Sequence, residues 1–257
     1  MILTFLGTGT SFGVPQLGCS CDVCRSTDPR DRRARTGAII DTGTTRLLID
    51  APPELRLQLL AVGVSKVDAL FITHDHADHI HGIDDVRGLA GKARGPLPVY
   101  AAPDVLASLV RRFPYAFDGA PPIPGTSKPE LEPRPIESGA TVRVGDATVE
   151  AIPVPHGAMR VFAYRVGPIA YVTDAKSVPA DAIARLRGVS VLVLNALRRT
   201  PHPTHLSVSE AVAVAREIGA KRTLLTHITH DLGHAALSAE LPAGIEPAYD
   251  GLVVPVD

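Results

Sequence analysis

Apolar residues fall along the chain in short runs that alternate between two periods. Ile2–Leu6 has strand length and ends in the turn Gly7-Thr8-Gly9. Ala38–Asp41 and Thr45–Asp50 predict a hairpin around Thr42-Gly43-Thr44. Pro53 opens a predicted helix through Val62, which puts Leu55, Leu59 and Val62 on one face. An apolar strand over Val67–Thr73 runs into a histidine-rich loop. After it come a short helix near Ile83–Leu89, a strand at Leu97–Ala101 and a helix from Asp104 to Arg112. Residues 113–135 hold seven prolines and break the pattern, which predicts an extended loop or flap. Thr141–Val144, Thr148–Val154, Val161–Val166 and Ile169–Thr173 then read as a meander. Helix Ala180–Leu186, strand Val189–Leu194, helix Ser207–Ile218, strand Thr223–Thr226 and a final pair near Glu246–Val254 complete the chain. Strands precede helices in each half, which suits two sheets packed face to face with helices outside.

Composition narrows the function classes. Of 257 residues, 45% are apolar and 21% charged, ordinary for a globular chain and too apolar for disorder. No apolar run approaches the ~20 residues of a membrane helix. The N-terminal MILTFLGTGTSFG lacks the basic start of a signal peptide, so a cytoplasmic protein with no membrane partner is expected. A formal charge of −1 argues against a nucleic-acid partner. Ten histidines and three cysteines remain as the unusual counts.

The cysteines lie together as Cys19, Cys21 and Cys24. An odd number packed into one short segment is a poor disulfide framework. Thiolates at this spacing suit tetrahedral zinc, which needs a fourth ligand from His, Asp or water.

The stretch Thr73-His74-Asp75-His76-Ala77-Asp78-His79 is the most informative. In an extended loop His74, His76 and Asp78 share one side while His79 points elsewhere, so one segment could feed two metal ions. His156, Asp174 and His227 each follow an apolar strand, and strand carboxyl ends commonly gather at one rim. Asp50 also ends a strand, where it either orients an imidazole or caps a turn. His205 precedes a helix whose cap is Thr204 or Ser207, and it serves catalysis or faces water. His202 reads as solvent-exposed, and His81 falls in the first turn of the following helix.

His-x-His-x-Asp-His at 74–79, followed by separate His, Asp and His, resembles the metallo-β-lactamase superfamily over nearly the whole chain. The resemblance implies an α/β fold, the four-layer αβ/βα sandwich, formed as one domain over residues 1–257. It assigns His74, His76 and His156 to one metal, Asp78, His79 and His227 to a second, and Asp174 to the bridge. The Leu-Gly-Thr-Gly-Thr-Ser start, the cysteine cluster and Thr226-His-Ile-Thr-His230 are similar to PhnP-type phosphodiesterases, which are associated with carbon–phosphorus lyase and act on cyclic ribose phosphates. That group implies a structural zinc on Cys19, Cys21, Cys24 and His230, with His234 as the rival fourth ligand. It also implies that His205 assists the leaving group.

The function expected is hydrolysis of a small, cyclic or open phosphodiester by activated water, with Asp78 orienting that water and His205 as acid. Zinc, manganese and iron all suit the mixed His and carboxylate ligands of the pair. One or two guanidiniums among Arg25, Arg30, Arg32, Arg33 and Arg35 could bind a substrate phosphate. A compact anionic substrate is the expected partner, and the resemblance admits a homodimer. Three other readings stand beside this one. A thioester or lactone hydrolase would use the same ligands. A transfer-RNA 3′-processing nuclease should carry a basic arm that is missing here. A non-catalytic cofactor-biosynthesis protein is suggested by Leu47–Leu59, which resembles a segment of pyrroloquinoline-quinone biosynthesis B, although those relatives depart from the intact histidine motif.

Overall fold

Two seven-stranded mixed sheets pack face to face in the computed structural model, which describes residues 1–89 and 95–257. The first sheet contains β1 (Ile2–Gly7), β2 (Gly37–Asp41), β3 (Arg46–Ile49), β4 (Ala69–Phe71), β5 (Leu97–Ala101) and β6 (Leu131–Pro135) in that order. The second runs through β7 (Thr141–Val144), β8 (Ala147–His156), β9 (Met159–Val166), β10 (Ile169–Val172), β11 (Val191–Asn195), β12 (Arg222–Thr226) and β13 (Ile245–Pro247). The last strand, β14 (Val253–Pro255), returns to the first sheet and pairs antiparallel with β1. The two terminal strands are therefore not partners of each other, contrary to the sequence reading. Each completes a different sheet, because a short loop after β13 carries the chain from one sheet to the other.

Period-two alternation decides which side chains meet. Leu3, Phe5, Ile40, Leu47, Ile49 and Phe71 from the first sheet face Tyr164, Val166, Tyr171, Val193 and Leu224 from the second. The intervening residues point outwards and are buried too. Ile39, Leu48 and Leu70 pack under α1 (Leu55–Ala61), α2 (Ala77–Ile80), α3 (Pro103–Arg112) and α4 (Pro114–Phe117). On the other side Ala170, Val172, Leu192 and Leu194 pack under α5 (Ala180–Leu186), α6 (Val208–Ile218) and α7 (His234–Glu240). Both faces of each central strand are thus covered, which gives the expected αβ/βα layers and explains strands that read as continuous apolar runs.

Two local expectations change. The Pro-rich stretch 113–135 holds the short helix α4 and the edge strand β6, paired in parallel with β5, so it is extended only between them. Proline is tolerated there because β6 is an edge strand, with no partner beyond it among the described residues. The histidine loop turns helical at Ala77, which ends the period-two rule after His76. His81 is then the cap at the end of α2, against the Phe113 ring, and not in the first turn of a following helix.

The glycines of the N-terminal turn have a packing reason. A Cβ on Gly7 would lie 2.0 Å from the Arg35 carbonyl oxygen, and one on Gly9 would lie 2.7 Å from that of Arg33. The chain from 33 to 35 can approach only bare backbone here. Among the described residues no helix is long and apolar enough to cross a membrane.

Candidate metal centre

Strands β3 to β6 are mutually parallel, as are β10 to β13, so their carboxyl ends share rims. Asp50 leaves β3, Asp174 follows β10 and His227 follows β12. All three have left-handed backbone, with φ of 62°, 57° and 56°. Non-glycine residues avoid this region at a cost of about 1–2 kcal/mol each, and such strain collects at functional sites. A sharp left-handed turn at the strand end directs each side chain across the rim.

The donors converge in overlapping groups. His74, His76 and His156 lie together, as do Asp78, His79 and His227, with donor atoms within 4.8 Å of one another in each set. Asp174 stands between the sets, its carboxylate 3.2 Å from His79 Nε2 and 3.3 Å from His227 Nε2. The structure therefore brings together all seven residues marked in the sequence. His79 does not point away as an extended loop would require, because the first turn of α2 swings it and Asp78 towards His227.

Four imidazoles are held from behind in the same sense. The Nδ1–H of His79 donates to Asp50 Oδ2 at 2.7 Å, and that of His156 donates to the Thr204 carbonyl at 2.9 Å. Thr36 Oγ1 donates to the Gly9 carbonyl and so accepts from His227 Nδ1 at 3.2 Å. Thr73 Oγ1 donates to Asp50 and accepts from His74 Nδ1 at 3.0 Å. Each ring thereby turns Nε2 towards the centre, the arrangement found behind metal-bound histidines. Asp50 thus orients His79 directly and, through Thr73, His74.

Burial holds His74 well below the ordinary imidazole range and His227 down at about 4, so both are neutral and able to donate a lone pair. At His79 burial opposes charge, but Asp174 and Asp50 outweigh it and raise the imidazole. Asp174 is also opposed by burial, yet His227 and His79 hold it ionised, well below the usual carboxylate range. The Nε2 atoms of His74 and His79 are fully buried and make no well-aligned hydrogen bond, although the Asp174 carboxylate lies 3.2 Å from His79 Nε2. Orphaned nitrogens beside an ionised carboxylate are costly unless a cation completes them, so the residues fit divalent metal.

A second cluster lies on the loop after β1. The Nδ1 of His230 is 3.1, 3.4 and 3.6 Å from the sulfurs of Cys19, Cys21 and Cys24. The Cys24 N–H donates to Cys21 Sγ and lowers that thiol to about 6 against the effect of burial. His234 is elsewhere, its N–H on Asp31 and its ring against Tyr249. The cysteines thus gather around His230 and not around its rival.

Ser207 caps α6 in a reciprocal capping box with Glu210, so Thr204 is not the cap. His205 nevertheless turns inward, its Nε2 2.9 Å from Asp174 Oδ1 and its ring stacked on His227. The arginine cluster is mostly neutralised. Arg25 pairs with Asp22, Arg30 with Asp28 and Arg35 with Glu54, while Arg33 is wholly buried on Asp31 and the carbonyls of Thr229 and Leu232. Among the described residues, exposed Arg32 alone of the five has no such partner. Thr36, Thr73, Thr204 and His202 were not marked as site residues in the sequence. Thr73 and Thr204 at least adjoin histidines, whereas Thr36 reaches His227 only through the fold.

A two-sheet sandwich with this rim of His and Asp donors is the architecture of the metallo-β-lactamase superfamily. Residues 45–228 match the beta-lactamase superfamily domain, and the chain belongs to that superfamily, within it to the PhnP-type hydrolases. A crystal structure of a new diphosphatase from the PhnP family superposes with a TM-score of 0.91 at 40% identity, over 98% of this chain and 96% of that one. An octanoyltransferase of Porphyromonas gingivalis is 39% identical over 98% of this chain, but the chain spans about half, 51%, of that protein's length. Zinc-bound PqqB from Methylobacterium extorquens, at 20% identity and a TM-score of 0.80 over the whole of both chains, shows the same fold.

Proposed function

We propose that the chain hydrolyses a small phosphoric ester or anhydride, with a phosphodiester as the best-supported substrate. His74, His76 and His156 would hold one divalent cation, Asp78, His79 and His227 a second, with Asp174 between them. Bound there, the two cations would supply an acidified water and neutralise charge on the phosphoryl oxygens. Cys19, Cys21, Cys24 and His230 would hold a separate zinc that pins the loop after β1.

The observation that carries this reading is His205. His74, His76 and His156, and Asp78, His79 and His227, form two donor sets without it, yet it sits inside the centre, 2.9 Å from Asp174 Oδ1 and grouped with His156 and Asp174. An imidazole there can give a proton to a departing oxygen. Alkoxide needs that help because it is strongly basic, whereas the thiolate released from a thioester does not. Asp78, held ionised by His79 although burial opposes it, would orient the attacking water as well as bind metal. At the β8–β9 turn lies a cleft of about 610 Å³ whose lining holds Asp104, Glu137 and Arg160, together with Asp75, which is paired with Arg112. Such a lining favours a neutral, hydroxyl-bearing leaving group and disfavours a polyanion such as nucleic acid. The diphosphatase of the PhnP family supports phosphorus chemistry as well.

The test is turnover by zinc- or manganese-loaded protein of bis(p-nitrophenyl) phosphate, a nucleoside diphosphate, an acyl thioester and a lactone. Hydrolysis of the phosphorus compounds is expected. Activity confined to the thioester or lactone would replace this reading, as would activity on none of the four. His205→Ala is expected to keep both metals and to slow alkoxide departure by about 10²–10⁴-fold.

A further inference from the structure

Three residues ahead of His205, a second imidazole meets it edge to edge. His205 presents Nε2 to Asp174 Oδ1 at 2.9 Å, and its other nitrogen, Nδ1, lies 3.1 Å from His202 Nδ1 and 2.8 Å from Thr204 Oγ1. The two ring centroids are 5.1 Å apart. His202 Nδ1 is also 3.1 Å from Thr204 Oγ1, which closes a triangle of polar atoms behind the His205 ring. His202 is half-buried and belongs to none of the metal-donor groups.

An imidazole tied on one edge alone can turn over about its Cβ–Cγ bond, exchanging nitrogen for carbon on the other edge. Partners on both edges remove that freedom and fix which nitrogen carries the proton. Here the carboxylate of Asp174 selects Nε2–H. The Nδ1 atom of neutral His205 is then an acceptor and needs a polar neighbour behind it. Thr204 and His202 are the groups at that position.

The backbone of the loop is held mainly by bonds other than the long 3.4 Å one from the Thr204 N–H to His202 Nδ1. The Thr204 carbonyl receives His156 Nδ1–H, the Leu206 N–H donates to Ala175, and the Leu197 N–H donates to Leu206. The His202 side chain is therefore placed to serve the pair Thr204 and His205. We propose that His202 is a positioning residue that, together with Thr204, locks the ring orientation and tautomer of His205 so that Nε2–H faces the centre. This rests on the reading of His205 as the acid for the leaving group.

The experiment compares His202→Ala, His202→Asn, His205→Ala and the double variant, all zinc-loaded. The probes are bis(p-nitrophenyl) phosphate, with a good leaving group, and 2′,3′-cyclic AMP, with an alkoxide one. His202→Ala is expected to lower kcat on the cyclic nucleotide by about 10–100-fold, the usual effect of losing an outer hydrogen-bond partner, and to change the nitrophenyl ester less than twofold. Metal content and KM should stay as in the wild type. His202→Asn, which keeps a polar atom at the Nδ1 position, should recover most of the loss. In the His205→Ala background the second substitution should add nothing.

A second readout needs no turnover. The ¹⁵N shifts of the His205 ring should report a single Nε2–H form in the wild type and a mixture in His202→Ala. If His205→Ala shows no leaving-group dependence, or no probe is hydrolysed, the acid reading fails and the ring shifts alone decide the link. If His205→Ala shows that dependence but His202→Ala does not, the positioning role is overturned. Additive losses in the double variant, or an unchanged His205 tautomer, overturn it as well.

Discussion

Asp50 and His79 meet at 2.7 Å with both side chains wholly buried, and Asp50 holds that position on a left-handed backbone. The same carboxylate takes the Thr73 N–H at 2.8 Å and its hydroxyl at 2.9 Å, so one residue fixes two neighbouring imidazoles. Asp50→Ala is therefore expected to weaken metal binding by about 10–100-fold at the site holding His79. Competition with a chromophoric chelator measures this. Unchanged affinity at both positions would show that the pair serves folding alone.

The sulfur cluster makes a separate prediction about stoichiometry. Wild type should carry three metals per chain and Cys21→Ser two, by elemental analysis after gel filtration. The loop after β1 touches the catalytic side through Ile228, whose N–H donates to the Thr8 carbonyl at 2.9 Å. The variant should thus melt at lower temperature while keeping its rim metals. Two metals in both proteins would remove the sulfur site from the account.

Much of this centre was legible because chemistry and periodicity agreed. His74, His76, Asp78 and His79 are adjacent in the chain, and His156, Asp174 and His227 each end an apolar run, so local pattern was enough to mark them. Where reading failed, the cause was long-range. The backbone at Ala77 turns helical as Ile80 is buried under the first sheet, and no period-two argument contains that. Thr36 is 191 residues from His227 in the chain and meets it only because Gly7 and Gly9 admit the 33–36 segment. The arginine cluster misled for a related reason, since charge counts cannot show that Arg33 is buried on carbonyls of the segment between His227 and His234.

Ser207 tests the α6 start independently of catalysis. Its hydroxyl accepts the Glu210 N–H while the Glu210 carboxylate accepts the Ser207 N–H at 2.7 Å. Ser207→Ala removes half of that exchange and should cost about 1 kcal/mol. In a chain of this size that lowers Tm by roughly 2–4 °C. Calorimetry of metal-free protein measures it, and an unchanged Tm would mean that packing of Ala211 and Ala215 alone sets the helix.

Asp250 gives the pH dependence its sign. Burial raises its carboxyl from 3.8 to about 6, against the Ala34 N–H, the Thr8 hydroxyl and nearby Arg33. Between those values the native chain keeps a proton that the unfolded chain has released. Unfolding then releases protons, so stability falls as pH rises through this window. Below about 4 both states are protonated and the contribution is whole, while above about 6 both are ionised and it is lost. About two pKa units correspond to roughly 3 kcal/mol as an upper bound. Asp250→Asn cannot titrate, so its stability relative to wild type should rise by up to that amount between pH 4 and pH 7. Urea unfolding of the metal-free proteins at both pH values measures the difference, and other carboxylates cancel because they are common to both chains. A difference that stays constant with pH would show that Asp250 is ionised in the folded state throughout, with Arg33 compensating its burial in full.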